Sequence, residues 1–211
     1  MMELWTQRWL GHPGYLARDG LVFACAVATL LSVAWSFLHY HRGRRIVKRQ
    51  RSAVDTLTML LFFVVFARLV AQRIGSLANV PAAVKWPALG AGTALVLLGC
   101  LVNIAGRHQL GAIWADQVTL YQEHQLRLDG WFRWVRHPLY ASTIWMFLGA
   151  SLAYLNYAAL GATCLIFIPA MHYRASQEER LLQEHFPEYL QYQRQTGRFF
   201  PRLFRSAPRS P

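Results

Sequence analysis

Residues 139–173 form a run of thirty-five positions without a formal charge. A helix rises about 1.5 Å per residue, so roughly 20 apolar residues cross a hydrocarbon core and thirty-five exceed one ordinary span. Asn156 lies near the middle of the run, between Tyr154 and Tyr157. A polar residue flanked by interfacial aromatics at that point predicts a tight helical hairpin. Three further runs have spanning character. Residues 21–39 and 86–105 carry no formal charge, and residues 56–72 carry only Arg68, which can snorkel. Trp86 marks a boundary, and Pro87 fits a first helical turn. The expectation is an all-α polytopic integral membrane protein, with about five transmembrane helices and a C-terminal amphipathic helix.

Composition narrows the classes further. Hydrophobic residues make up 55% and charged residues 15% of the 211-residue chain, whereas soluble chains carry about 25% charged residues. The 14% aromatic content excludes disorder. The net charge of +12 suggests a nucleic-acid binder only if the basic side chains sit on a polar scaffold, which they do not. They are sorted instead. Arg42, Arg44, Arg45, Lys48, Arg49 and Arg51 lie between the first two runs, and residues 106–138 and the stretch from Arg174 onward fall on the same side. Seventeen cationic residues collect there, against Arg8, Arg18, Arg73 and Lys85 opposite. The positive-inside rule then places the N-terminus outside and the C-terminus in the cytoplasm. Membrane lipids are expected partners, and nucleic acid is not. Two lysines against twenty arginines point to a prokaryotic chain, hence to a bacterial inner membrane.

No common soluble-enzyme signature accounts for the chain. In Gly90-Ala91-Gly92 the third glycine position of a dinucleotide fingerprint is Leu95, so no Rossmann domain is expected. The widely spaced Cys25, Cys100 and Cys164 read as small buried hydrophobes. His39 and His41 have no further ligand nearby in the sequence, and no metal is expected.

Two polar segments abut the last spans. The first, residues 123–140, reads EHQLRLDGWFRWVRHPLY; the second, residues 176–201, reads SQEERLLQEHFPEYLQYQRQTGRFFP. Pro138 suits an opening helical turn, which places Arg136 and His137 at a helix N-terminus that favours anions. Glu178 and Glu179 follow the fifth span, and adjacent residues diverge by about 100° around a helix. Charge beside hydrocarbon needs partners; a cationic ligand is one, and Arg174, Arg180 and Arg136 are others. Leu181, Leu182, Phe186, Tyr189, Leu190 and Tyr192 supply the apolar contributors of an amphipathic helix, interrupted at Pro187.

These segments resemble the isoprenylcysteine carboxyl methyltransferase family of integral-membrane methyltransferases, which is related to phospholipid N-methyltransferases. The resemblance rests on Glu123-His124, Leu126, Gly130, Arg136-His137-Pro138, Tyr140, Glu178-Glu179, Tyr189, Tyr192, Arg198 and Pro201, with Gly111 and Trp114 upstream. It covers residues 110–202. Ser142, Trp131-Phe132 and Thr196-Gly197 depart from the family pattern. The resemblance implies S-adenosyl-L-methionine as cofactor, bound by Arg136, His137, Pro138, Tyr140, Glu178 and Glu179. It also implies a lipophilic methyl acceptor entering from the bilayer, most simply an isoprenylcysteine-like or other lipophilic acid. Arg198 is the candidate to steer a carboxylate acceptor, and Glu179 or His124 to deprotonate an amine acceptor. The implied organisation is three N-terminal spans over residues 1–105, a methyltransferase core over 106–204 and a tail over 205–211. Phospholipid N-methylation, an NADPH-dependent sterol-reductase-like activity and a non-catalytic membrane scaffold are the alternatives.

Overall fold

The computed structural model describes residues 13–40, 46–50, 52, 54, 56–111, 118–121 and 126–202. Helix α1 spans Pro13–Tyr40, strand β1 Ile46–Gln50, α2 Thr56–Ala71 and α3 Ala82–Leu110. Strand β2, Val118–Tyr121, and a single 3₁₀ turn, Gly130–Arg133, precede α4, Pro138–Ala153. Helix α5, Tyr157–Ala162, continues through a π-helical turn, Thr163–Phe167, into α6, Ile168–His185, and α7 covers Tyr189–Gln195. The expected all-α class holds for the body of the molecule. Its exception is an antiparallel ribbon in which β1 pairs with β2, Ile46 opposite Tyr121 and Gln50 opposite Val118.

Helices Pro13–His39 and Ala82–Leu110 are long and apolar enough to cross a membrane, and Leu57–Ala71 and Pro138–Ala153 are shorter apolar helices. Their outward faces carry bare hydrocarbon: Phe23, Leu31, Leu57, Leu61, Leu165 and Ile166 are all exposed, Leu165 by 78%. Contiguous apolar surface of this kind needs a covering phase, and lipid supplies it. The molecule is a membrane protein.

Helix α3 packs most extensively against α4. Gly92, Val96, Gly99, Asn103 and Gly106 are buried along α3, at alternating steps of four and three that keep one stripe facing its neighbour. The small residues allow backbone contact. A Cβ on Gly92 would lie 2.5 Å from the Gly149 carbonyl oxygen, and one on Gly149 would lie 2.6 Å from that of Gly92. Asn103, in the same stripe, donates from Nδ2 to the Ser142 hydroxyl at 2.8 Å and accepts from Arg107 Nε at 3.0 Å. Phe62 and Phe66 of α2 meet Phe147 of α4, and Phe62 and Phe147 both pack on Phe167, with ring centroids 4.6–5.1 Å apart.

The hairpin turns where the sequence indicates. Asn156 is buried and accepts from the Ala159 N–H at 2.8 Å, capping α5. Its amide also donates to the Leu69 carbonyl and the Ser76 hydroxyl, and the Tyr157 N–H donates to the Gly75 carbonyl. The turns α2–α3 and α4–α5 are thereby stitched together. Beyond the hairpin, the π turn directly precedes Pro169. A proline lacks the N–H for its i−4 carbonyl and clashes with it, and a widened turn relieves both problems.

Three expectations need correction. Helix α3 begins at Ala82, so Pro87 lies inside the helix and not in its first turn. The C-terminal amphipathic helix is two pieces, because α6 ends at His185 and α7 begins at Tyr189, with Pro187 between them; the proline lacks the donor that would continue the ladder. Cys25 and Cys100 are buried, but Cys164 is exposed beside Leu165 and Ile166 on the apolar outer surface.

Candidate functional site

Pro138 is the first residue of α4, and His137 occupies its N-cap position. The preceding residues are held as an extended segment. Val135 bridges in parallel to Gly197, the Arg136 N–H donates to the Gly197 carbonyl at 2.8 Å, and the His137 N–H donates to that of Arg198 at 3.2 Å. These backbone bonds bring together two segments sixty residues apart. They fix Arg136, His137 and Arg198 on one side of α6, where Glu178 and Glu179 stand.

The two glutamates diverge, as their angular separation requires. Glu179 points inward, and its side chain is only 2% exposed. Its Oε1 accepts from Arg136 Nε at 2.9 Å, His137 Nε2 at 3.0 Å and Arg198 Nε at 3.2 Å. Its Oε2 accepts from Arg198 Nη2 at 2.5 Å and Gln193 Nε2 at 3.2 Å. Arg136 also donates to the backbone carbonyls of Gln193, in the last turn of α7, and Thr196, just after it. Glu179 thus joins α4, α6, α7 and the 196–198 segment through one carboxylate.

Glu178 points to a different neighbourhood, and its side chain is 37% exposed. Its Oε2 accepts from the Tyr140 hydroxyl at 3.1 Å and lies 3.6 Å from His137 Nδ1. Among the described residues no hydrogen-bond partner is recorded for its Oε1. The Tyr140 hydroxyl in turn accepts from Arg174 Nε at 2.8 Å, and the Tyr140 ring stacks on His137 at 5.4 Å.

These contacts set the charge states. Burial disfavours an imidazolium at His137, but hydrogen bonds and charge from Glu178 and Glu179 outweigh it, so the histidine pKa is raised. Burial likewise opposes ionisation of Glu178, yet His137, Arg174 and Tyr140 together lower its pKa. Glu179 is held well below the usual carboxylate range, because hydrogen bonds from His137, Arg198 and Arg136 overcome its burial. Near neutral pH the centre is two carboxylates among three guanidiniums, Arg136, Arg174 and Arg198, and a histidine biased toward its charged form. Tyr189 and Tyr192 go the other way, pushed up by burial and by the Glu179 charge, so both remain phenols.

The structure gathers Arg136, His137, Pro138, Tyr140, Glu178, Glu179 and Arg198 into this one centre. His124, with Glu123 and Trp114, lies outside the described residues. Gln193, Ser176 and His172 join the centre without having been singled out for it in the sequence, and Arg174, expected there as a possible partner of the glutamates, reaches Glu178 through Tyr140. Arg198 Nη1 donates to the Ser176 hydroxyl at 3.0 Å and lies 2.7 Å from His172 Nε2. Ser176 and His172 precede Glu179 by three and seven residues, so helical spacing from the glutamate pair is the signal that finds them. Among the described residues, no three His, Cys, Asp or Glu side chains are grouped to hold a metal ion.

Residues 92–184 match the model of the isoprenylcysteine carboxyl methyltransferase (ICMT) family. The cobalt-zinc-cadmium resistance protein CzcN of Cupriavidus metallidurans is 32% identical over 123 residues, 56% of this chain and 55% of that protein. The protein-S-isoprenylcysteine O-methyltransferase of Saccharomyces cerevisiae is 30% identical over 109 residues, 50% of this chain and 46% of that protein. The chain thus spans about half the length of the curated relatives it matches. The solved structure of the eukaryotic intramembrane Ras methyltransferase ICMT superposes with a TM-score of 0.60, covering 91% of this chain and 69% of that one; at 20% identity the likeness is one of fold. The matched segment runs from α3 to the end of α6 and contains Arg136, His137, Glu178 and Glu179. By that segment, 93 of the 211 residues, the chain is similar to the isoprenylcysteine carboxyl methyltransferase family.

Proposed function

We propose that this protein is a membrane methyltransferase that uses S-adenosyl-L-methionine to methylate the carboxylate of a lipophilic, isoprenylcysteine-like acid. The observation that carries the reading is the contrast within the glutamate pair, a saturated Glu179 beside a half-exposed Glu178. The donor set suits the cofactor. A carboxylate with a free oxygen is the complement of an ammonium or sulfonium, and Glu178 is that group. Backbone N–H groups at the start of α4, with Arg136 and His137 behind them, favour a carboxylate. Pro138 and Tyr140 shape the wall between the two. When bound, S-adenosylmethionine supplies an electrophilic methyl group carried on a sulfonium.

The chain's own task is then to bind, align and exclude water. Glu179 locks Arg136, His137 and Arg198 in place and so preorganises the site. Arg198 uses four of its five N–H donors on Glu179, Ser176 and His172. The fifth, on Nη2, is left to orient an acceptor carboxylate. Such an acceptor needs no general base. An amine acceptor does, and Glu179 is a poor one, because two guanidiniums and His137 keep it ionised and engaged. This observation favours carboxylate over phospholipid amine. The exposed apolar helix faces give a lipophilic acceptor a route in from the bilayer. Five spans, an outside N-terminus, a cytoplasmic site and a bacterial inner membrane complete the proposal, resting on the cationic sidedness of the sequence.

Calorimetric titration of detergent-purified protein with S-adenosylmethionine, its demethylated product and NADPH tests the cofactor. Binding of the first two without the third is expected; NADPH alone would move the chain to the reductase reading, and no binding of any would leave a scaffold. Transfer of labelled methyl to N-acetyl-S-farnesylcysteine, but not to phosphatidylethanolamine vesicles, is the expected acceptor result. The reverse pattern would overturn the carboxylate assignment.

A further inference from the structure

Arg174 is buried at the end of the apolar stretch of α6, four residues before Glu178. Among the described residues its guanidinium reaches Tyr140 and Val54. Nε donates to the Tyr140 hydroxyl at 2.8 Å, and Nη1 donates to the Val54 carbonyl at 2.7 Å. Val54 lies 120 residues away, in the loop that follows β1. That loop has its own tie, the Val54 N–H donating to the Ser52 hydroxyl at 3.2 Å. Strand β2, the partner of β1, packs against α6.

A tyrosine hydroxyl has one proton to give. At Tyr140 Arg174 donates to the oxygen, so the hydroxyl proton is directed away from the guanidinium, and Glu178 Oε2 stands 3.1 Å off to take it. A relay therefore runs from Val54 through Arg174 and Tyr140 to Glu178, and it ends with Oε2 occupied and Oε1 open. Val54, which precedes the family match over residues 92–184, is thereby connected to the site's open carboxylate through this relay. We infer that Arg174 is a positioning residue that ties the loop after β1 to Glu178 through Tyr140, fixing which carboxylate oxygen is presented to a cationic ligand. The inference rests on the proposed binding of S-adenosylmethionine at Glu178.

The test is a double-mutant cycle on full-length protein in detergent, with S-adenosylmethionine titrated calorimetrically. Groups acting in series are non-additive. Arg174→Gln and Tyr140→Phe should each weaken binding about tenfold, the scale of a lost charge-assisted hydrogen bond, and the double variant should be no weaker than either. Arg174→Lys should recover part of the affinity, since one donor suffices for Tyr140. Hydrogen exchange without ligand reads the other arm: Arg174→Gln should speed exchange across residues 46–54, and Tyr140→Phe should not. Additive losses in the cycle, or an Arg174→Gln affinity within twofold of the parent, would overturn the positioning role while leaving the cofactor reading intact. Unchanged exchange in Arg174→Gln would overturn the tie to the loop. A parent protein that binds no S-adenosylmethionine would remove the cofactor reading and this role with it, and the exchange arm would still report separately on the tie.

Discussion

The two ends of the α4–α5 hairpin are fastened by opposite chemistry. At the turn, Asn156 joins four segments with neutral hydrogen bonds to Ala159, Leu69 and Ser76, reinforced by backbone pairing with residues 75–77. At the open end, Glu179 joins as many segments with charged ones, to Arg136, His137 and Arg198. Either device would hold helices together. The neutral clasp leaves no charge over, whereas the charged clasp brings with it a second carboxylate, Glu178, that is only partly satisfied. A buried ion cluster is weak evidence of stability for its own sake. The turn end has an ion pair of its own, Arg18–Asp19 against the Ala153 carbonyl, but among the described residues only the open end gathers buried carboxylate, guanidiniums and histidine, which marks that end as the place where charge is used.

Removing the charged clasp should cost most. Glu179→Gln leaves Arg136 and Arg198 facing each other without their shared anion, and breaking such a buried pair costs about 3–5 kcal/mol; a thermal melt in detergent should show the largest fall among the variants named here. Overpacking the seam between the ends comes next. Gly92→Leu forces a side chain into backbone that a Cβ alone would meet at 2.5 Å, for a loss of about 1–3 kcal/mol on the same melt. Asn156→Ala removes the neutral clasp at about 1–2 kcal/mol, and it should leave ligand affinity unchanged, which separates the ends functionally.

The smallest effect is a pH dependence peculiar to the charged end. His137, ordinarily near 6.5, is raised in the fold, so its contribution is complete below about pH 6.5 and is lost as pH rises through the folded value. Glu178 and Glu179 are lowered from 4.5, so their contribution is present above that value and is lost as pH falls. Melting temperature should therefore peak between these limits and decline on the alkaline side; His137→Gln should flatten the alkaline arm, and Asn156→Ala should shift the whole curve without changing its shape.

Much of this was legible in the sequence. A charge-free run too long for one span, broken by a single asparagine, located the hairpin turn. Ten acids among so many cations made Glu178 and Glu179 conspicuous, and Pro138 fixed the start of α4. Other features were hidden for physical reasons. The Arg42–Arg51 stretch reads as a topology signal, since its composition says nothing of the β1–β2 pairing, which depends on a partner some seventy residues on. Arg174 is readable as a partner for the glutamates, but its contacts with Tyr140 and Val54 are not, because both come from distant segments. The stripe Gly92, Val96, Gly99, Asn103 and Gly106 was readable in principle from its four-and-three spacing, but small residues give a weak signal against an apolar background. Which glutamate faced inward was beyond the sequence, because a helix separates neighbours by an angle without saying which one meets the core.

On the proposed function the two glutamates divide their work, Glu179 anchoring the site and Glu178 receiving a cationic ligand. Titration of S-adenosylmethionine into Glu178→Gln tests it directly. Affinity should fall by about tenfold or more, the worth of a charge-assisted contact, with a melting temperature close to that of the parent. Affinity equal to the parent's in a folded Glu178→Gln protein would contradict it.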